Sequence, residues 1–167
     1  MIPRESLIRD KGSVYLIQMI YIEVFAYLRK NLESLEVLEN KLRKMGNRIG
    51  KSIYIYYKPR KISPIKMLRD VIHVATGVKN FKIKTVKKSN EIEITIIYNQ
   101  CPLCVSEIEE KGVHYCIPTM AILEEYLKLA INDGKLKGFK SVEGKVIKSV
   151  SSGDDHCEYF YKLIKSD

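Results

Sequence analysis

Residues 81–98 read FKIKTVKKSNEIEITIIY, and this stretch decides the fold. Before the turn KKSN, Phe81 and Ile83 alternate with lysines, and after it the isoleucines from Ile92 to Ile96 alternate with glutamate and threonine. An alternation with a period of two is typical of β-strands that bury one face. The two runs therefore predict an antiparallel hairpin, whose outer face can pair lysines with glutamates.

A second hairpin is predicted further along the chain. Residues 142–150 and 157–164 lie on either side of SSGDD, a run of turn-forming residues. In the second of these strands alternate side chains share one face: Cys157, Tyr159, Tyr161 and Leu163.

Amphipathic helices are predicted before and between the two hairpins. Each has apolar residues at spacings of three and four, the pattern of a helix with one buried stripe. In chain order the stripes are Leu38, Leu42, Met45 and Ile49; Ile65, Leu68, Ile72 and Ala75; and Met120, Leu123, Leu127 and Ala130. Ser63-Pro64 is a typical helix start, and Gly77 and Gly134 are typical helix ends.

Two features of the first of these helices each allow two interpretations. Gly46 and Gly50, one turn apart in GNRIG, either let another backbone approach closely or mark a point where the helix frays. The following SIYIYYKP is either a strand or the end of the helix, because β-branched and aromatic residues dominate it.

The order of elements is helices, hairpin, helix, hairpin, which predicts an α+β fold. We expect an antiparallel sheet of about four strands with helices packed on one side. We predict a single domain over residues 1–167, with a helical part at about 1–77 and a sheet-containing part at about 78–167.

Composition and charge restrict the class of protein. The chain has 29 lysines and arginines against 20 acidic residues, and its net charge of +9 could attract nucleic acid. Most lysines are interleaved with glutamates, as on a solvated face, so a basic nucleic-acid-binding module is an alternative to the favoured function. Abundant lysine, glutamate and isoleucine with no tryptophan is typical of thermophilic proteins.

The N-terminal region favours a cytoplasmic protein. MIPRESLIRDKGS places charges where a signal peptide would be apolar. The apolar stretch from Val14 to Leu28 contains Gln18 and Glu23 and is shorter than the ~20 residues that span a bilayer, so we expect a largely buried helix. From Tyr15 onward it is apolar on more faces than one sheet can cover, which predicts a homodimer through the N-terminal helices.

The four cysteines are the residues of this sequence that most clearly suggest metal or redox chemistry. Cys101 and Cys104 form a CxxC turn in NQCPLC, whereas Cys116 and Cys157 stand alone. All four lie at element ends: after the second strand, before a helix and at the start of the last strand. Because these ends can meet at one end of an antiparallel sheet, the four thiolates are predicted to bind one structural zinc ion.

Other interpretations of the cysteines stay open. His114 and His156 are nearby substitutes as metal ligands. The thiols could instead form disulfides or a redox pair, although this CxxC follows a hairpin strand and does not open a helix in a βαβ unit. They could also be small buried apolar side chains. No motif of nucleophilic, phosphate-binding or metalloprotease chemistry occurs in the sequence, so no catalytic residue is predicted.

The segments LRKMGNRIGKSI, NQCPLC, HYCIPTMAILEEYL and SSGDDHCEYFYKL occur in this order. The first is similar to the glycine-punctuated helix, and the others to the cysteine-bearing second half, of one family. The chain thus resembles the 4-vinyl-reductase-like domains, also called hydrocarbon-binding proteins, many of them archaeal. The resemblance covers roughly residues 30–164.

This resemblance implies a helix-plus-antiparallel-sheet fold, shared with TRAPP vesicle-tethering subunits and haem-based nitric-oxide sensor domains. Those relatives form dimers through their helices and enclose an apolar small-molecule pocket. Some bacterial phenol-sensing relatives also bind zinc through cysteines and a glutamate.

The resemblance also bears on the metal. Cys116 matches the cysteine before the family's long helix, and Cys157 matches the last cysteine of the final hairpin. The family's glutamate and two further cysteines are replaced here by Val146, Ser149 and Ser152. Zinc binding would therefore need Cys101 and Cys104 as the remaining ligands.

The favoured function is binding of a small apolar ligand by a non-catalytic sensor or carrier. The resemblance implies it, and a surplus of apolar helical faces for so few strands supports it. An interaction or tethering subunit, by analogy with the TRAPP relatives, is a further alternative. The sequence does not assign the ligand-contacting residues.

Overall fold

A computed structural model describes residues 19–59, 63–76, 78, 80–99, 101, 103–104 and 113–166, except for the side chain of Ala75. The helices in this part of the chain are α1 over residues 19–31, α2 (Leu35–Tyr56), α3 (Pro64–Thr76) and α4 (Ile117–Asn132). The strands are β1 (Phe81–Lys87), β2 (Glu91–Tyr98), β3 (Phe139–Lys148) and β4 (Cys157–Lys165), and a short 3₁₀ helix (Val150–Ser152) lies between β3 and β4. The predicted α+β class is confirmed.

The strands form one antiparallel sheet in the order β1-β2-β4-β3. One face is buried beneath the helices. It carries six residues that alternation predicted, together with Tyr98: Ile94, Ile96, Cys157, Tyr159, Tyr161 and Leu163. The predicted Phe81, Ile83 and Ile92 are only partly buried. On the other side charges pair, for example Lys162 Nζ with Glu91 Oε2 at 2.7 Å. The structure does not test nucleic-acid binding, so the alternative of a basic nucleic-acid-binding module stays a prediction.

The contact between α2 and α4 depends on two glycines of α2. A Cβ on Gly50 would lie 2.6 Å from Ile122 O, and one on Gly46 would lie 2.7 Å from Ala121 Cβ. Because side chains do not tolerate such distances, only glycine lets the two helices approach this closely. The close-approach interpretation is thus confirmed, and α2 continues as a helix to Tyr56.

The glycines also shift the buried face of α2 away from the predicted stripe. The buried residues are Leu38, Leu42, Gly46, Gly50 and Tyr54. Met45 is partly buried and packs against the core, whereas Ile49 is 42% exposed, so the prediction that Ile49 completes the stripe is wrong. Two helices approach most closely where their side chains are smallest, so the glycines of α2 face α4. Apolar periodicity does not predict this, because glycine has no apolar side chain to count.

Helix α4 lies between α2 and the sheet and is buried on several sides. Its predicted stripe is buried: Met120, Leu123, Leu127 and Ala130. The carboxylate of Glu124 is also buried, and it forms ion pairs with Arg43 and Lys128. Arg43 Nη2 also donates to Gly144 O of β3 (3.1 Å), so the partly buried Arg43 of α2 connects α4 with β3.

Helix α1 is less buried than its composition predicts. In the described chain it buries Tyr21 and Phe25 and partly buries Ile22 and Leu28, but four large apolar side chains are exposed: Met19, Ile20, Val24 and Tyr27. The expectation of a largely buried helix is therefore wrong for residues 19–28, and residues 14–18 lie outside the described part. Among the described residues, no helix is both long and apolar enough to cross a bilayer.

Candidate functional site

The four cysteines predicted as metal ligands come together at one end of the sheet. Cys101 and Cys104 follow the end of β2, and Cys157 opens β4, where it pairs with Tyr98. Cys116 is the N-cap residue of α4. All four are buried, and their Sγ atoms lie within 4.8 Å of one another. Antiparallel pairing of β2 with β4 is what joins the CxxC segment to a cysteine so distant in sequence.

The spacing of the sulfur atoms suits a shared ion. All four cysteines are free thiols. Cys104 Sγ and Cys157 Sγ are 3.5 Å apart. A disulfide would place its sulfurs about 2.05 Å apart, whereas four sulfurs at about 2.3 Å from one tetrahedral zinc are about 3.8 Å apart. The group could therefore bind a metal ion with little movement of the side chains.

Hydrogen-bonding groups surround the sulfurs. Ser149 Oγ lies 3.4 Å from Cys116 Sγ and 3.6 Å from Cys104 Sγ. The backbone amide of Val150 donates to Cys157 Sγ (3.4 Å), and Tyr159 Oη lies 3.2 Å from Cys101 Sγ. Such contacts orient metal ligands and stabilise thiolate charge.

The segment that supplies Ser149 is itself fixed. The Ser149 amide donates to Asp154 Oδ2 (2.7 Å), and the Asp154 amide donates to Ser149 O (3.2 Å). Gly153 closes the turn between them with a φ of 90°, a conformation that favours glycine. The predicted turn SSGDD thus holds a hydroxyl against the cysteine group.

Charge within the cysteine group is unevenly distributed. Hydrogen bonds with Cys101, Cys116 and Cys157 hold the pKa of the Cys104 thiol well below its usual value, against the opposing effect of burial. Hydrogen bonds with Cys101 and Cys104 raise the pKa of Cys116 and Cys157, and burial adds to this rise. Negative charge is thus favoured on Cys104 and disfavoured on Cys116 and Cys157, which stay neutral and hydrogen-bond to their neighbours.

The two histidines predicted as substitutes are not part of this group. His114 Nδ1 lies 3.4 Å from Ser152 Oγ, and His156 contacts the carboxylates of Asp155 and Glu158. Among the residues that the structure describes, the converging ligand atoms all belong to cysteines.

Helix α1 packs next to the cysteine group through aromatic residues. The Tyr21 hydroxyl donates to the carbonyl of Tyr115 (2.6 Å), the residue before Cys116. The Tyr21 and Tyr115 rings have centroids 4.3 Å apart, and Phe25 meets Tyr115 edge-on at 5.0 Å. The position of α1 is therefore tied to that of the metal-ligand candidates.

Two grooves flank α3. The α2–α3 groove has a volume of about 400 Å³ and is lined by Arg48, Ile49, Ser52, Ile53, Tyr56, Tyr57 and Val74. The α3–β1 groove has a volume of about 320 Å³ and is lined by Arg69, Asp70, His73, Val78 and Phe81. The first is mainly aromatic and aliphatic, whereas the second combines Arg69 and Asp70 with the rings of His73 and Phe81.

Several site residues were not assigned from the sequence. Ser149 was noted only as the replacement of a family cysteine, and Tyr159 only as a buried position of β4. The groove residues had no signal beyond the apolar faces of their helices, because a groove depends on how α3 sits beside its neighbours.

Comparison with known proteins finds solved structures with a similar fold. No family model matches the chain, and no curated protein matches it significantly in sequence. Among solved structures, trafficking protein particle complex subunit 3 from Naegleria fowleri, covalently bound to palmitic acid, matches with a TM-score of 0.74 and 18% identity, over 94% of this chain and 99% of that one. The phenol-responsive sensory domain of the transcription activator PoxR with phenol matches with a TM-score of 0.60 and 13% identity, over 90% of this chain and 74% of that one.

These likenesses confirm the expected relation in fold to TRAPP subunits and to a phenol-sensing domain. Membership of the 4-vinyl-reductase-like family stays a prediction, because identities this low show a fold and no more.

Proposed function

We propose that the chain binds a small apolar molecule as a sensor or carrier, without catalysis. The observation that carries this proposal is the α2–α3 groove. Its volume of about 400 Å³ falls in the range of small-molecule sites, roughly 300–1,000 Å³. Its aliphatic and aromatic lining suits an apolar body, and Arg48 and Ser52 can orient one polar group of the ligand.

The two solved structures of the same fold support this proposal. One contains palmitic acid and the other phenol, each an apolar body with an oxygen-containing end. The likeness extends over at least nine-tenths of this chain in both cases, since the covered shares are 94% and 90%. Proteins of one fold can have unrelated functions, so the proposal depends on the α2–α3 groove of this chain and not on the fold alone.

The test compares two isoleucines of α2. Ile49 lines the α2–α3 groove and is 42% exposed, whereas Ile55 is 62% exposed and does not line it. Native mass spectrometry and solvent extraction of purified protein should identify a bound apolar molecule. Ile49→Glu should abolish its binding, and Ile55→Glu should retain it. Equal ligand content in both variants, or repeated absence of ligand from the wild type, would contradict the proposal.

We also propose that Cys101, Cys104, Cys116 and Cys157 bind one structural zinc ion. Four free thiols within 4.8 Å of one another are the donor set of such a site. Four sulfur ligands leave no open coordination position, so the ion would brace the fold and would not act as a Lewis acid.

Metal analysis of protein prepared without a histidine tag tests the zinc proposal. We expect one zinc per chain in the wild type and far less in Cys104→Ser. His114→Ala is the matched control, because His114 lies near the group without belonging to it, and it should keep its zinc. A wild type with clearly less than one zinc per chain would refute the proposal.

The exposed apolar face of α1 supports a homodimer. An isologous pair of α1 helices would bury Met19, Ile20, Val24 and Tyr27, which a single chain leaves exposed. A tethering subunit would use the same face to meet a partner chain. Light scattering should give a dimer mass for the wild type and a monomer mass for Ile20→Glu, and a monomeric wild type at micromolar concentrations would be evidence against it.

We propose that residues 1–167 form a single domain. The buried residues of the described helices and strands belong to one core cluster, which supports a single domain. Urea unfolding followed by circular dichroism and by tyrosine fluorescence should give coincident single transitions. Two separated transitions would contradict a single domain.

A further inference from the structure

The solvent face of α2 carries a row of positive charge, named here the α2 basic row. Four exposed cations follow one another at spacings of three and four residues and so share one face of the helix, opposite its buried residues: Lys41, Lys44, Arg48 and Lys51. The row is about 15 Å long, because a helix rises about 1.5 Å per residue. From residue 40 to residue 56 the sequence has no acidic side chain. Within the described part of the chain, none of the four cations forms an ion pair.

Two ordinary explanations of such a row do not fit. Cations stabilise a helix through its dipole when they lie in its last turn, and the last turn of α2 has no basic residue. Cations of a solvated face pair with acidic side chains, as Lys88 does with Glu91 and Glu93. Like charges one turn apart repel each other and destabilise the helix. The α2 basic row is therefore better explained by an anionic partner.

The shape of the row favours a linear polyanion. In an isologous pair of this chain the two rows would bring like charges together, which excludes this face as a contact between copies. A bilayer suits a helix whose apolar face is free to enter the headgroup region, but the apolar face of α2 is buried against α4. A narrow line of cations matches the phosphate backbone of a nucleic acid strand.

An exposed tyrosine beside the row favours a single strand over a duplex. The side chain of Tyr56 is 90% exposed. Tyr56 and Arg48 both line the α2–α3 groove, so a base stacked on the ring and a phosphate on the guanidinium can belong to one strand. Stacking of this kind needs a base face that is free, as in a single strand, and every base offers one. Binding should therefore not depend on base sequence.

We propose that the α2 basic row binds the phosphate backbone of a single-stranded nucleic acid, with Tyr56 stacked on one base. The proposal gives a surface and a type of strand to the nucleic-acid alternative that the net charge of the chain suggested. It goes beyond small-ligand binding and does not depend on it, because Lys41, Lys44 and Lys51 do not line the α2–α3 groove.

The test measures binding of a fluorescent single-stranded oligonucleotide of mixed sequence to the full chain over a range of salt concentrations. A duplex of the same length, polyglutamate and phosphatidylserine vesicles are the competing anions. The variant Lys44→Gln/Lys51→Gln removes half of the row. Lys82→Gln/Lys84→Gln is the matched control, because it removes the same charge from two exposed lysines of β1. Both variants change exposed side chains only, so both should keep the circular dichroism of the wild type.

The expected result is a salt dependence that counts the contacts. Each phosphate neutralised on a single strand contributes about −0.7 to the slope of log affinity against log salt, so four contacts give about −2.8. The affinity should then fall about fifty-fold between 50 and 200 mM salt. Lys44→Gln/Lys51→Gln should halve the slope to about −1.4, and the β1 control should keep the wild-type slope. Tyr56→Ala should weaken single-strand binding about tenfold without changing the slope.

Four results would overturn the inference. The α2 variant and the β1 control could show equal slopes, which would mean that diffuse charge and not the row binds the strand. Polyglutamate or the vesicles could bind as tightly as the oligonucleotide, which would show that the row takes any anionic surface. The duplex could bind as tightly as the single strand with no loss in Tyr56→Ala, or no oligonucleotide could bind the wild type at low salt. None of these results affects the proposed function, because the apolar-ligand content of Lys44→Gln/Lys51→Gln is expected to equal that of the wild type.

Discussion

Replacing Gly46 by alanine should destabilise the protein, although alanine is the better helix former. On an open helix surface the exchange would stabilise by about 1 kcal/mol. Here the added methyl would lie 2.7 Å from Ala121 Cβ and even closer to the carbonyl oxygen of Pro118. Because that oxygen belongs to the backbone of α4, relief requires the two helices to separate.

Overpacking of this kind costs about 1–3 kcal/mol, and contact with backbone atoms places Gly46 at the upper end. After subtracting the gain in helix propensity, we expect a net loss of about 2 kcal/mol for Gly46→Ala. For a domain of this size that corresponds to a fall in Tm of about 4–8 °C. The double variant with Gly50→Ala should lose less than the sum of the two changes, because one shift of α2 relieves both contacts.

Urea unfolding followed by circular dichroism measures this loss. Asn40→Ala, at an exposed position of the same helix, is the control and should be slightly more stable than the wild type. If Gly46→Ala gains stability like the control, the close approach of α2 to α4 is wrong.

Three further outcomes are expected. Cys104→Ser should lower the free energy of unfolding by several kcal/mol if a structural ion is lost, whereas equal stability with and without a strong chelator would argue for simple buried thiols. Glu124→Gln should lose about 2–3 kcal/mol, because it leaves the partly buried Arg43 without an anionic partner. The double variant with Arg43→Met should recover part of that loss, and full additivity of the two changes would show that the ion pair does not contribute to stability. Burial and the hydrogen bond to Asp133 raise the pKa of Tyr54 to about 12, so its contribution to stability is complete below pH ~10 and is lost as the pH rises toward 12. Unfolding midpoints across this pH range should fall less steeply for Tyr54→Phe, and identical slopes would show that Tyr54 does not contribute.

The strands were predictable because their signal is local. Ile94 and Ile96 alternate with polar residues whichever strand they pair with, and a buried face follows directly. The proximity of Cys101 and Cys104 to Cys157 was predictable from topology. In an antiparallel sheet the end of one strand lies beside the start of its neighbour.

Other features were not predictable, because they depend on how elements are placed against one another. Gly46 has no side chain to mark a buried face, so periodicity assigned Ile49 instead. The α2–α3 groove is formed by residues of both helices, so it depends on how α3 is positioned beside α2, which the sequence of neither helix predicts. The Tyr98 hydroxyl has no hydrogen-bond partner among the described residues. The sequence could not show this, because a tyrosine on a strand predicts only a buried aromatic ring.

The strand order has a consequence for how the chain is made. β4 follows every other described strand in the sequence, yet it lies between β2 and β3 in the sheet. During synthesis, β2 and β3 leave the ribosome before β4, so each has an edge with unpaired backbone groups until β4 is made. Cys101, Cys104 and Cys116 are likewise made before Cys157. Such non-local pairing slows folding and leaves the unfinished sheet open to wrong partners. The arrival of β4 should therefore complete the sheet and the cysteine group in one late, cooperative step.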